Sequence, residues 1–331
     1  MLAYIARRSV IMIPMLVLLS VISFVIIQLP PGDYLTTYIN ARQAAGEVFN
    51  EAEIAALTAQ YGLDQPIYIQ YFKWIRNILV DGNFGRSFFW GRPVNELLAE
   101  RLPITIFVSF TSLFVVYVLA IPIAILSAIY KYSWFDYLAT TFGFIGLAMP
   151  GFMLALIISW LFFLISGDMV TNLFSLEFRD APWSFSKFLD LMSNVWLPIL
   201  IIGLSGTAGL IRTLRATLLD ELSKPYVVTA RSKGLTEARL LLKYPVRIAM
   251  NPVFSTIGWL LPGLINGGVI VGIVLNLQMI GPVLMQATLT QDMYLAGSVV
   301  LILGVLTVIG TLISDILLAW LDPRIRYGAE R

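Results

Sequence analysis

The sequence contains no cysteine and no histidine. The first absence excludes disulfides, thiolate metal sites and a cysteine nucleophile. The second excludes a Ser-His-Asp triad and a histidine proton relay. Catalysis would fall to carboxylates or a Ser/Lys arrangement, and the carboxylates are scattered along the chain. Charge is scarce as well. Asp, Glu, Lys and Arg make up 13% of 331 residues, against roughly a quarter in soluble domains. The net charge of +2 gives no nucleic-acid footprint. No G-x-x-x-x-G-K followed by Ser or Thr is present, so the chain lacks a loop of that type for cradling ATP phosphates.

What the sequence has in abundance is apolar surface. Hydrophobic residues make up 58%, and the mean hydropathy is +0.83. That exceeds what one water-soluble core takes up, so lipid is the expected solvent. Six runs are near the ~20 residues that cross the hydrocarbon core. They are Ser9–Leu29, Pro103–Ile129, Leu138–Ile165, Met192–Ile211, Met250–Ile280 and Tyr294–Leu321. Arg7 and Arg8 before the first run mimic a signal peptide. The run is longer than a signal h-region and no Ala-x-Ala site follows, so it reads as a retained span. Gly203, Gly206 and Gly209 dilute the fourth run. The fifth holds Pro252 and Pro262 and is expected to tilt or bend. The expected fold is an all-α membrane protein of about six spans.

Lys and Arg placement sets the expected orientation. Between runs four and five lie Arg212, Arg215, Lys224, Arg231, Lys233, Arg239, Lys243 and Arg247. The N-terminus has Arg7 and Arg8, and the C-terminus Arg324, Arg326 and Arg331. Six spans put all three on one side, expected to be the cytoplasm. The opposite side receives residues 30–102 and 167–191, where acids outnumber bases. The expected division is therefore 1–30 for a first helix, 31–102 for an extracytoplasmic domain, 103–321 for a five-helix core containing a cytoplasmic loop at 219–247, and a cytoplasmic tail at 322–331. Within 31–102, Asn50 and Glu53 form a capping-box-like start for a helix to Gln60. A second helix, Gln70–Val80, puts Tyr71, Trp74, Ile75 and Ile78 on one face, and Asp81-Gly82-Asn83 makes a turn after it. Trp74 and Trp90 are expected near the lipid headgroups.

Residues 219–247 are the most informative stretch. Ser223-Lys224-Pro225 reads as a helix start, with Ser as cap and Pro in the first turn. The helix runs to Lys233, and Gly234 stops it. Thr236 caps a second helix, with Glu237 favourably placed at its N-terminus. Ala230 and Gly234, four residues apart, share a face with little side chain, over which another protein's backbone can approach closely. Arg231 and Lys233 flank it with positive charge. A helix lying on anionic lipid is the competing reading, and the glycine break argues against it.

The run Tyr226-Val227-Val228-Thr229-Ala230-Arg231-Ser232-Lys233-Gly234-Leu235 resembles the EAA-type loop of permease subunits from bacterial ABC importers. More narrowly, it is similar to the dipeptide/oligopeptide branch. Pro31-Gly32-Asp33, Tyr61-Gly62-Leu63-Asp64-Gln65-Pro66, Arg101-Leu102-Pro103-Ile104-Thr105 and Leu321-Asp322-Pro323-Arg324-Ile325-Arg326-Tyr327 also match that branch, in order. Thr229 stands where the broader motif has Glu, which leaves that glutamate's role without a residue here. The resemblance implies a type I ABC importer transmembrane domain in a bacterial inner membrane. It implies that Thr229, Ala230, Arg231, Lys233, Gly234 and Leu235 couple to a cytoplasmic ATPase subunit. It further implies a second homologous permease subunit, two ATPase subunits that bind Mg-ATP, and an extracytoplasmic solute-binding protein. No cofactor is expected in this chain itself. The branch carries peptides, and some members oligosaccharides, opines or chelated nickel.

Polar residues inside apolar runs are few. Asp315 is expected to snorkel or to pair with a base. Asn266, beside Gly263, Gly267 and Gly268, is a pathway candidate, and tight helix packing through those glycines is the alternative. Met149-Pro150-Gly151 marks a bend, and its family counterpart lies near the pathway. A secondary transporter would want charged or protonatable groups at mid-membrane, which are not evident. A purely structural subunit stays open on the residues alone.

Overall fold

The computed structural model describes residues 2–28, 64–87, 89–167, 172–179 and 181–321, with Ile39, Ala55, Thr58 and Ala59 as isolated positions. The expected helix from Asn50 to Gln60, the Pro31-Gly32-Asp33 motif and the 322–331 tail lie outside the described residues. The described elements are α1 (Leu2–Gln28), α2 (Ile67–Asp81), α3 (Val94–Ile129), α4 (Trp134–Ala148), α5 (Gly151–Ser166), α6 (Phe185–Leu222), α7 (Pro225–Ser232), α8 (Glu237–Lys243), α9 (Pro245–Ser255), α10 (Ile257–Val274), α11 (Ile280–Leu289) and α12 (Met293–Leu321). Among them α1, α3, α6 and α12 hold stretches long and apolar enough to cross a membrane, and α4 with α5 makes one more as a bent pair.

The expected third span is thus two helices that meet at 112°. Pro150 cannot donate a backbone hydrogen bond, and its ring pushes the preceding residue out of the helical region. Met149 sits accordingly at φ −95°, ψ 129°. The expected fifth span is also divided. It breaks at Thr256, between α9 and α10, and α10 ends at Val274. Asn276 then turns in the left-handed region at φ 52°. The break frees carbonyls that lipid cannot satisfy. The Tyr117 hydroxyl donates to Val253 O at 2.9 Å, and Ser314 Oγ donates to Phe254 O at 2.9 Å.

By contact the described residues fall into two compact units. The larger takes in those of Met1–Ser9, Thr105–Gln278 and Ile309–Arg331. Here α6 is the central helix, with α4, α5, α9 and α10 packed against it. Val116, Ala120 and Ala124 of α3 share a buried cluster with Leu210, Leu214 and Leu218 of α6 and Val253 of α9. Close approach explains one glycine of the fourth run: a Cβ on Gly203 would lie 3.3 Å from Val116, whereas one on Gly209 would meet nothing within 4 Å. Arg8 and Asp315 meet at 3.4 Å, so Asp315 has a basic neighbour as the sequence led one to expect.

The smaller unit holds those of Val10–Ile104 and Met279–Val308. The expected helix over Gln70–Val80 is α2, ended by Gly82 at φ 60°. Its Tyr71, Trp74, Ile75 and Ile78 do share one face, which packs with Phe24, Ile27, Tyr294 and Leu301. Trp74 therefore faces protein rather than an outer surface. It is 5% exposed, with its ring 5.7 Å from that of Phe24. Amphipathic spacing gave the face correctly, but the partner is protein. Asp292 is fully buried and accepts hydrogen bonds from Ser87 Oγ and from Phe89 N, which fixes the loop before α3.

Two glycines let α1 and α12 touch. An added Cβ would run into the Ile27 side chain at Gly297 and into the Leu19 side chain at Gly304. Gly297→Val is expected to destabilise by about 1–3 kcal/mol, as overpacking does. A thermal unfolding series on the purified protein checks this, and Ile27→Ala added to Gly297→Val is expected to restore part of the loss.

Candidate functional site

The helical hairpin α7–α8 follows directly from α6. Pro225 occupies the first helical position of α7, where its missing N–H costs nothing. The cap position belongs to Lys224 and makes no side-chain bond. Ser223, expected as the cap, instead ends α6, and its Oγ donates to Asp220 O at 2.8 Å. Proline's fixed φ starts this helix without a side-chain cap. Thr236 does occupy the cap position of α8, again without a side-chain bond. Gly234 lies at φ 77°, the left-handed conformation that lets the chain reverse between the helices.

The hairpin has its own small core of Val227, Ala230 and Leu240, with Tyr226, Leu235, Leu241 and Tyr244 against it. Ala230 is 7% exposed, so the face it shares with Gly234 is not wholly outward. Its small side chain admits Leu240 of the same chain. Gly234 is exposed, and a Cβ there would meet nothing within 4 Å. Arg231 grips Glu237 across the turn, with Nε to Oε1 at 2.6 Å and Nη2 to Oε2 at 3.1 Å. Hydrogen bonding from Arg231 holds the Glu237 carboxyl below the usual range. Lys233 is exposed. Thr229 Oγ1 donates to Pro225 O at 3.0 Å, within its own helix. Tyr226 donates to Glu221 Oε2 at 2.6 Å and so ties α7 to the end of α6. Burial, then the Glu221 carboxylate, pushes the Tyr226 phenol above its ordinary range. Val228 and Leu242 project outward at 57% and 66% exposure. Sequence reasoning did not single them out, although an apolar residue on the polar side of a short helix is a readable signal.

One site was missed outright. Asp136, near the start of α4, is buried and receives both Nε and Nη2 of Arg215 at 2.7 Å each. Ser127 Oγ donates to the same carboxylate, and Tyr132 N donates at 2.9 Å. The cluster joins the end of α3, the start of α4 and the inner part of α6. Ser133 caps α4 by accepting from Asp136 N at 3.2 Å. The Ser-x-x-Asp spacing was a visible signal for this cap.

At the bend, a cavity of about 450 Å³ is lined by Pro150, Gly151, Phe152, Gly206, Leu260 and Gly263, with Ile201, Ile202, Ile270 and Val271. Pro150 thus borders open space, and Met149 is the residue before it. Asn266 falls on α10, but its side chain lies outside the described residues. Among the described residues the lining is apolar or glycine and carries no charge.

Residues 120–327 match the family model described as binding-protein-dependent transport system inner membrane component. Residues 1–110 match the N-terminal model of the same transport systems. The chain belongs to this family of membrane permease components. It is 35% identical to the oligopeptide transport system permease protein AppB of Bacillus subtilis, over 99% of this chain and 100% of that protein. It is 31% identical to the glutathione transport system permease protein GsiC of Salmonella typhimurium, over 99% of this chain and all of that protein. A putative peptide permease protein of Brucella suis is also 31% identical, over 98% of this chain and 99% of that one. The chain is a multi-pass inner-membrane permease subunit of a binding-protein-dependent ABC importer.

The ion pairs at the two sites differ in burial and should differ in weight. Removing one partner of a buried pair leaves an uncompensated charge and costs roughly 3–5 kcal/mol. Asp136→Ala is expected to show a loss of that order in thermal unfolding of the purified protein. Glu237→Ala, at an exposed pair, is expected to leave the unfolding temperature unchanged.

Proposed function

We propose that this chain forms half of a translocation pathway for peptides and that the α7–α8 hairpin is where it receives the force of ATP hydrolysis. The observation that carries the reading is the hairpin itself. It is a compact helical knob with its own core, it continues α6, and it exposes Val228, Arg231, Lys233 and Gly234. A cleft on an ATPase subunit can hold such a knob. The names of the relatives support a peptide cargo over an oligosaccharide.

The hairpin moves as a lever because α6 runs unbroken from Phe185 to Leu222. Gly206 on that helix lines the cavity at the bend. Arg215, between cavity and hairpin, holds the start of α4, whose far end is the Met149-Pro150 break. A push at the hairpin therefore reaches both walls of the cavity. The motion is a rigid-body switch between two packings. An apolar wall binds a peptide weakly, which suits a conduit that must release its cargo.

In this reading the N-terminus, the hairpin and the C-terminus face the cytoplasm, and residues 31–102 face outward. The chain catalyses nothing. Two ATPase subunits bind Mg-ATP, a second permease subunit, a different chain in a heterodimer, completes the pathway, and a solute-binding protein delivers the peptide.

Reconstituted complex with its binding protein tests the coupling. Gly234→Trp is expected to lower ATP-driven peptide uptake roughly tenfold or more, within the usual range of coupling free energies. Insertion of the permease into the membrane stays intact. Gly234→Asn, which adopts the same left-handed backbone, is expected to retain most uptake. Normal uptake by Gly234→Trp contradicts the assignment. Titrating the binding protein with peptides and with oligosaccharides tests the cargo.

A further inference from the structure

Between α4 and α6 lies an open groove that the transport reading does not use. Its volume is about 220 Å³. Gly143, Phe144, Leu147 and Ala208 line its length, and Arg212 and Arg215 stand at one end. The two arginines are not equivalent. Arg215 is committed to Asp136 at 2.7 Å. Arg212 is exposed, and among the described residues no carboxylate pairs with it.

A second, independent feature sets the depth of that end. The turn from α3 into α4 and the first turn of α4 present Tyr130, Tyr132, Trp134 and Tyr137, exposed at 60%, 68%, 74% and 61%. Lys131 Nζ lies 4.9 Å from the Tyr132 ring centroid. Exposed tyrosine and tryptophan with a lysine are what a helix end presents to lipid headgroups. Asp136 lies in this same stretch, and its bond to Arg215 puts the arginine end of the groove beside it. Further along α4, Phe142, Phe144 and Ile145 are exposed at 69%, 55% and 46%, as a lipid-facing surface would be.

We propose that this groove holds one anionic phospholipid, with its phosphate on Arg212 and an acyl chain along Gly143, Phe144, Leu147 and Ala208. A guanidinium offers a planar fork that matches phosphate oxygens. Basic pockets between membrane helices take anionic headgroups for this reason. A zwitterionic lipid would bring its own cation to the arginine and gain less. A free phosphate ion would gain nothing from the apolar walls below. α4 is 15 residues long, about 22 Å at 1.5 Å per residue, so a chain has a wall to follow.

The proposal goes beyond the coupling assignment and does not rest on it, because lipid retention is read without ATP. The test uses the purified importer complex in nanodiscs of mixed phosphatidylglycerol and phosphatidylcholine. The complex is then released into detergent, and retained lipids are counted by native mass spectrometry. Wild type is expected to keep phosphatidylglycerol over phosphatidylcholine by roughly tenfold, the scale of one charge-assisted contact. Arg212→Gln is expected to abolish the preference. Gly143→Leu is expected to lower retention of both lipids by filling the groove. An added Cβ at Gly143 meets no other atom within 4 Å, so this variant should fold normally, and an unchanged unfolding temperature checks that. Arg239→Gln, an exposed arginine on the hairpin, is expected to behave as wild type. Equal retention of the two lipids by wild type overturns the proposal. So does a preference that survives both groove variants, or one that inorganic phosphate displaces.

Discussion

The Asp136–Arg215 ion pair fixes the geometry on which the larger unit depends. It joins the start of the helix that runs into the bend to the helix that carries the hairpin. A buried pair of this kind repays its desolvation only when the geometry is good and the remaining lone pairs are satisfied. Both conditions hold here. The guanidinium meets the carboxylate with two nitrogens, and Ser127 and Tyr132 N supply the further donors. Three segments are thereby held in one register near the hairpin end of α6.

The second constraint is the solvent. Hydrocarbon offers no hydrogen bonds, so a helix can break only where something inside the protein takes up the freed groups. At Thr256 two hydroxyls do so, from Tyr117 and Ser314. At Pro150 the donor that would have been lost never existed. The cavity lies beside the second of these breaks, and its described walls are glycine and apolar side chains, Phe152 among them. A path through such a place needs little more than room and the absence of charge.

How much of this the sequence disclosed depends on range. The apolar runs, the amphipathic face of α2 and the Gly234 turn are local, and each was readable from spacing or residue type. Trp74 shows the limit. Its face was legible, but its burial against Phe24 depends on a contact fifty residues away. The two prolines of the fifth run predicted a bend, but the break fell at Thr256, where other helices supply the hydroxyls. Asp136 lies two residues before the third apolar run and Arg215 is 79 residues further on, so no local spacing joins the pair. Spacing alone turns Ala230 outward, but the return of α8 covers it with Leu240.

The larger account stands on one contact outside this chain, between the hairpin and an ATPase subunit. Because the sequence has no cysteine, a single introduced cysteine is its one thiol and can carry the crosslinker before the complex is assembled. The most direct measurement is photocrosslinking from Val228→Cys and from Ala230→Cys in the purified complex with ATP bound. The account predicts an adduct with the ATPase subunit from the exposed Val228 position and none from the buried Ala230 position. An adduct from Val228 with lipid alone would contradict it.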